Sequence, residues 1–286
     1  MISSLFKTKK HIFSLEVFPP KKEEEFQDAY KVLSGLSKLS PDFISVTYGA
    51  GGSRSKKTIE IASYIQNQLK IPALAHLTCI GNQKADIENV TTALNKEGIN
   101  NILALRGDRP SYMDDDQFNS REFFYASDLI RFLKKNTSFD VTAACYPEKH
   151  FESSSMDEDL NYLKQKQDLG CSFFISQLFF DNHSFYRFLD LATAKNITIP
   201  ICAGIMPITS VKQLGTTVSL SGSSIPKTLS DLIVKYQDQP EEMRKAGIDF
   251  AICQIMDLRE QAVSGIHLYS MNKLKTTTEI ISALSL

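Results

Sequence analysis

Short apolar runs recur along the chain, and between most of them apolar residues return at every third or fourth position. The runs at Ile12–Phe18, Asp42–Tyr48, Pro72–Thr78, Ile99–Leu105, Asp140–Tyr146, Phe173–Phe179, Ile199–Ala203 and Gly265–Met271 each read as a buried strand. Phe26, Tyr30, Leu33 and Leu36 mark a helix over 23–39, and Ile59, Ala62, Ile65 and Leu69 mark a second. Ile87, Val90 and Leu94 mark a third, and further helices are predicted around 125–134, 157–169 and 185–192. Three more fall around 207–215, 225–236 and 240–262, and a short one ends the chain at Ile280–Leu284. Alternating strands and helices give a parallel sheet. Eight such units in a chain near the ~250-residue norm predict a closed (β/α)8 barrel, here with extra helices before the last strand. A doubly wound open sheet is the alternative. No linker or change of composition divides the chain, so residues 1–286 read as one domain.

The polar residues at the ends of these runs change the picture. Arg106-Gly107-Asp108-Arg109-Pro110 follows the fourth strand, where Gly permits a sharp turn and Pro cannot extend a ladder. The other C-terminal tips carry Glu16, Thr47, Tyr48, His76, Thr78, Tyr146, His150, Gln177, Tyr269 and Asn272. A barrel gathers all these ends at one mouth, where such folds build their sites. Carboxylates, an imidazole, hydroxyls, an amide and a guanidinium together suit a polar heterocycle carrying phosphates. Taken singly, each has an ordinary explanation. Glu16 fits an edge position or a partner for a barrel Lys or Arg, and His76 fits a hydrogen-bonded core histidine. Gln177 fits a residue that satisfies backbone groups, and Tyr48 and Tyr146 fit packing residues with a wet hydroxyl.

Composition narrows the class. The 286 residues are 42% hydrophobic and 23% charged, with a net charge of −1, so nothing favours nucleic acid or an anionic membrane as partner. No apolar run approaches the ~18 residues of a membrane span, and the first residues do not make a signal peptide. Five cysteines without C-x-x-C spacing read as reduced thiols, which fits a cytoplasmic enzyme. The stretch 49–54 imitates a dinucleotide-binding glycine loop but has Arg54 in the sixth position. No P-loop, H-E-x-x-H or G-x-S-x-G motif is present, and no histidine–cysteine spacing predicts a metal site.

The tip sequences in order resemble the methylenetetrahydrofolate reductase family: SLEVFPP (14–20), SVTYGAGGS (45–53), AHLTC (75–79), ALRGDRP (104–110), YASDL (125–129), AACYPEKH (143–150), SQLFFD (176–181), GIMPI (204–208) and GIHLYSMN (265–272). The resemblance implies a barrel holding non-covalent FAD at its mouth. NADH or NADPH and 5,10-methylenetetrahydrofolate would use the flavin in turn, with ping-pong kinetics, to give 5-methyltetrahydrofolate for methionine synthesis. Glu16 matches the family's general acid and Asp108 the carboxylate near flavin and pterin. Thr47, Tyr48, Ala50, His76, Arg106, Gly107, Asp108, Ala126, Tyr146, His150, Asp159 and Lys166 match flavin contacts, with Arg106, His150 and Lys166 toward the pyrophosphate or adenosine. Gln177 and Gln213 match substrate contacts, together with Lys273, where the family commonly has Arg. Thr217 replaces an aromatic residue that would stack on nicotinamide or folate. The resemblance also implies a homo-oligomer of the bacterial type, without the regulatory domain of animal and fungal relatives. A second reading is a flavin-free, folate-binding barrel of the methyltransferase type.

Overall fold

The computed structural model describes residues 1–48, 52–110 and 113–284. Eight strands run parallel in a closed barrel, each paired with its neighbours in sequence and the last with the first. They are β1 (Ile12–Val17), β2 (Phe43–Val46), β3 (Ala73–Thr78), β4 (Asn101–Leu105), β5 (Asp140–Cys145), β6 (Phe174–Ser176), β7 (Ile201–Ile205) and β8 (Gly265–Tyr269). The expected (β/α)8 barrel is therefore the fold. Among the described residues no helix is long and apolar enough to cross a membrane.

The alternation of side chains along each strand sets up two apolar layers and leaves a polar one. Leu15, Val17, Ile44, Val46, Ala75 and Leu77 belong to the large core shared with the surrounding helices. Their opposite-parity neighbours Ile12, Phe43, Leu74, Leu103 and Cys202 form a separate cluster with Phe173 and Ile175, which fills the lower barrel. Ile2 belongs to that cluster and is fully buried. Its N–H donates to Asn101 Oδ1 at 2.9 Å, and Ser3 N–H donates to Asp140 Oδ2 at 2.9 Å. Asn101 and Asp140 are the first residues of β4 and β5, so the N-terminal turn closes the bottom of the barrel. The mouth at the opposite end stays open for chemistry.

Boundaries differ from the sequence expectation where burial has another source. The run 173–179 pairs only over Phe174–Ser176. Phe179 beyond it is buried against the flanking helices instead: its ring stacks on Phe185 at 4.7 Å, and its carbonyl accepts from Gln254 Nε2 at 3.0 Å. The seventh strand starts and ends two residues later than 199–203, because Gly204 and Ile205 extend it rather than end it. Asp114–Asp116 is exposed but not irregular. Asp114 caps a short helix, Asp115–Asn119, by accepting from Gln117 N at 2.7 Å. Cys79, Cys145, Cys171 and Cys202 are buried free thiols, and Cys253 is a free thiol at the surface.

Candidate active site at the barrel mouth

Glu16 faces into the barrel near the tip of β1, in register with Ser45 on β2 and Tyr269 on β8. Its side chain is 21% exposed and lies among imidazoles: Oε2 is 3.5 Å from His76 Nε2 and 3.7 Å from His267 Nε2. His76 is buried, and burial is the main reason that its pKa is lowered to about 4. Glu16 pulls that pKa upward and His267 pushes it further down, but burial wins. Glu16 therefore lies near the end of its strand, at the mouth of the barrel. Among the described residues it forms no ion pair with Lys or Arg; its ionisable neighbours are the two histidines.

A second group of residues lines a cleft of about 400 Å³ between the tips of β4 and β5 and the helices Ala126–Asn136 and Met156–Asp168. Arg106, Ala126, Tyr146, His150, Asp159 and Lys166, six of the expected flavin contacts, come together here. Arg106 forms an ion pair with Glu152, and its Nε donates to the Gly107 carbonyl at 3.3 Å. Burial opposes the charge on Arg106, but Glu152 outweighs it and leaves the pKa raised. Lys166 Nζ donates to the Ala144 carbonyl at 3.0 Å, and burial lowers its pKa against the pull of Asp159. Asp159 accepts from His150 N at 3.1 Å and from Ser153 Oγ at 3.0 Å, so its carboxylate fixes the turn after β5. Burial lowers the pKa of His150 and raises that of Tyr146.

Gly107 has φ +84°, and a Cβ there would sit 2.7 Å from Ile80 Cγ2 and 2.9 Å from Thr78 Cβ. The turn after β4 therefore needs glycine both for its backbone angle and for its clearance. Asp108 next to it is exposed. Thr47 and Tyr48 follow β2 at the same mouth, where Tyr48 is hydrogen-bonded with Asn82 and Ser55 and burial raises its pKa. Ala50 lies outside the described residues.

The expected substrate contacts form a third group, beside a groove of about 420 Å³ lined by Gln177, Met206, Gln213, Thr217 and Met271. Gln177 Oε1 accepts from Leu178 N at 2.9 Å. Gln213 accepts from Thr209 N and Oγ1, each at 3.0 Å, and donates to the Pro207 carbonyl at 2.9 Å. Its amide thus holds the loop after β7. Lys273 Nζ donates to Thr209 Oγ1 at 3.0 Å, which ties the loop after β8 to the same turn.

The family model for methylenetetrahydrofolate reductase matches residues 1–285. The chain belongs to the methylenetetrahydrofolate reductase family. Relatives named 5,10-methylenetetrahydrofolate reductase in Pectobacterium carotovorum and Escherichia coli are each 32% identical to it over 271 residues. Those alignments cover 95% of this chain and 89% and 90% of the relatives. Methylenetetrahydrofolate reductase 1 of Schizosaccharomyces pombe is 34% identical over 277 residues, which is 96% of this chain and 46% of that one. An uncharacterized Clostridium thermocellum protein that binds two copies of 5-methyl-5,6,7,8-tetrahydrofolic acid shares the fold, with a TM-score of 0.68 at 16% identity over 99% of both chains. Membership of the reductase family makes this chain an oxidoreductase of folate-borne one-carbon units.

Reading the tips one by one missed His267, Ser14 and Ser45 beneath Glu16, and Glu152 beside Arg106. The signal for the first three is strand parity: Ser14 and Glu16, and His267 and Tyr269, are two apart and point the same way. No comparable signal marks Glu152, because its partner is 46 positions away in sequence.

Proposed function

We propose that this protein reduces 5,10-methylenetetrahydrofolate to 5-methyltetrahydrofolate with NADH or NADPH, using FAD bound at the barrel mouth. The observation that carries the reading is one mouth with an inward-facing carboxyl on β1 and a cation-lined cleft at the tips of β4 and β5.

The donor set fits the dinucleotide. Arg106 and Lys166 face the cleft with the first residues of helix Ala126–Asn136, and both a guanidinium and open helix N–H groups suit a pyrophosphate. His76 Nε2 and Thr78 Oγ1 are buried without a hydrogen-bond partner among the described residues, so polar acceptors or donors at the mouth are left for a ligand. When bound, FAD supplies a two-electron relay between a nicotinamide and a folate.

The chain's own residues bind, orient and supply a proton. Glu16, in a mostly buried setting, gives a proton to the ring-bridging nitrogen of the folate. Loss of that C–N bond opens the five-membered ring to an iminium carbon that accepts hydride. Asp108 hydrogen-bonds the pterin, and Gln177 with the Gln213–Lys273 loop lines the remainder of the folate site. Nicotinamide and folate enter by the same mouth and take turns there, which is ping-pong kinetics. The product supplies methyl groups for methionine synthesis in the cytoplasm, and the working enzyme is a homo-oligomer.

A visible spectrum of the purified protein tests the reading. The expected result is a yellow protein that bleaches with anaerobic NADH and regains its colour with methylenetetrahydrofolate. A colourless protein that cannot be reconstituted with FAD overturns it in favour of a flavin-free folate barrel.

A further inference from the structure

We propose that His267, together with His76, is a positioning residue for Glu16: the two imidazoles form a seat that fixes the carboxyl from below. The inference rests on the reading of Glu16 as the acid, and its central residue, His267, has no exposed surface for folate or FAD to touch.

His267 lies on β8 with no exposed surface, one turn of the strand alternation below Tyr269. Burying an imidazole this deep is costly unless both nitrogens are satisfied. Nδ1 is 2.8 Å from Ser14 Oγ, and Nε2 is 3.3 Å from Ser45 Oγ. The ring also stacks on Phe43 at 6.0 Å and meets Tyr269 edge-on at 5.5 Å. Contacts from β1, β2 and β8 therefore leave it one orientation. In that orientation Nε2 points to Glu16 Oε2 at 3.7 Å.

His76 approaches the same oxygen from β3, 3.5 Å away. Its Nε2 has no hydrogen-bond partner among the described residues, which is uncommon for a buried polar atom. A shift of the carboxyl by about 0.5 Å toward either ring completes a hydrogen bond of ordinary length. Glu16 thus rests between two ring nitrogens, each just beyond bonding distance, and a glutamate with several free torsions is held to a narrow range of positions. A histidine that merely filled the core would need no such approach, since the apolar cluster around Phe43 and Leu74 fills the space below without one.

The groups whose charge bears on Glu16 in this packing are His76 from β3 and His267 and Tyr269 from β8. Removing His267 should therefore disturb how the carboxyl is presented to the folate, and not only how tightly folate binds.

The test uses the FAD-loaded enzyme and follows bleaching by NADH separately from recolouring by methylenetetrahydrofolate, over a range of pH. His267→Asn keeps a polar group toward Ser14 but withdraws it from Glu16. It should slow recolouring by roughly 10- to 100-fold, the effect of a misplaced catalytic group, and move its pH profile. His267→Gln, which reaches toward the former Nε2, should recover part of the rate. Ser14→Ala, which frees the ring without cutting it, should move the profile in the same direction by less. In ¹⁵N-histidine-labelled protein the His267 ring signals should shift when Glu16→Gln is introduced. Wild-type pH profiles in both His267→Asn and Ser14→Ala, or unmoved His267 signals in Glu16→Gln, overturn the seat. If Glu16→Gln itself recolours at the wild-type rate, the acid assignment fails instead, and the two failures are distinct.

Discussion

Tyr269 crosses the barrel over Gly204. Its hydroxyl donates to the Ser176 carbonyl at 2.8 Å, and a Cβ on Gly204 would lie 2.2 Å from that carbonyl oxygen and 2.8 Å from the tyrosine hydroxyl. Glycine on β7 is therefore the condition for a tyrosine on β8 to reach β6, beside the carboxyl of Glu16. Gly204→Ala should cost about 1–3 kcal/mol as an overpacked core does. In a chain of this size that lowers Tm by about 2–4 °C per kcal/mol, measurable by a thermal melt. An unchanged melt would show that Tyr269 can leave this position freely.

Substitution of Glu16 should separate the two halves of the proposed reaction. Glu16→Gln keeps the shape but removes the proton, so recolouring by methylenetetrahydrofolate should slow by ~10²–10⁴-fold. Bleaching by NADH needs no such proton and should change little. Single-turnover absorbance traces check both, and equal loss of the two would move Glu16 from folate chemistry to cofactor binding.

Acid should unfold the protein partly through His76. Its folded pKa is about 4, against an ordinary value near 6.5, because burial disfavours the charged ring. The unfolded chain binds the proton first as pH falls, so stability is full above about 6.5 and is lost progressively down to about 4. The shift corresponds to about 3 kcal/mol over that window. Urea unfolding of wild type and His76→Gln at several pH values measures it. The variant should show a shallower loss between those limits, and parallel curves would rule out His76 as the source.

The loop that carries Thr209, just ahead of the helix Val211–Ser221 that bears Gln213, leans on a second helix. A Cβ on Gly247, in helix Pro240–Glu260, would sit 1.7 Å from the Ile208 carbonyl oxygen. Gly247→Ala should push that loop outward and disturb the Gln213–Thr209–Lys273 contacts. The expected result is a KM for the folate raised several-fold with FAD content unchanged. FAD loss together with an unaltered folate KM would contradict this link.

Arg106 and Lys166 should govern retention of FAD rather than catalysis. Arg106→Ala removes the guanidinium at the cleft and leaves Glu152 unpaired there. Purified Arg106→Ala should carry less FAD and bind added FAD at least tenfold more weakly, the loss expected of a charge-assisted contact. Flavin fluorescence titration reads this directly.

The residues by themselves determined the barrel. Eight apolar runs separated by helical periods leave few ways to bury strands on both faces, and local patterning carries that information. The same patterning placed Glu16, Arg106 and Tyr146 at strand tips, because a strand end is a local property. Only the tertiary structure decided which tips meet. Glu16 faces His76 and His267 because β3 and β8 bring their rings inward around β1, at separations that no local pattern encodes. Arg106 pairs with Glu152 because the pairing of β4 with β5 makes the loops after them neighbours. Strand limits moved for a related reason: Phe179 is apolar because helices cover it, not because it pairs in the sheet. Burial leaves one imprint on sequence whatever does the burying, and it takes the closed fold to tell which surface supplied it.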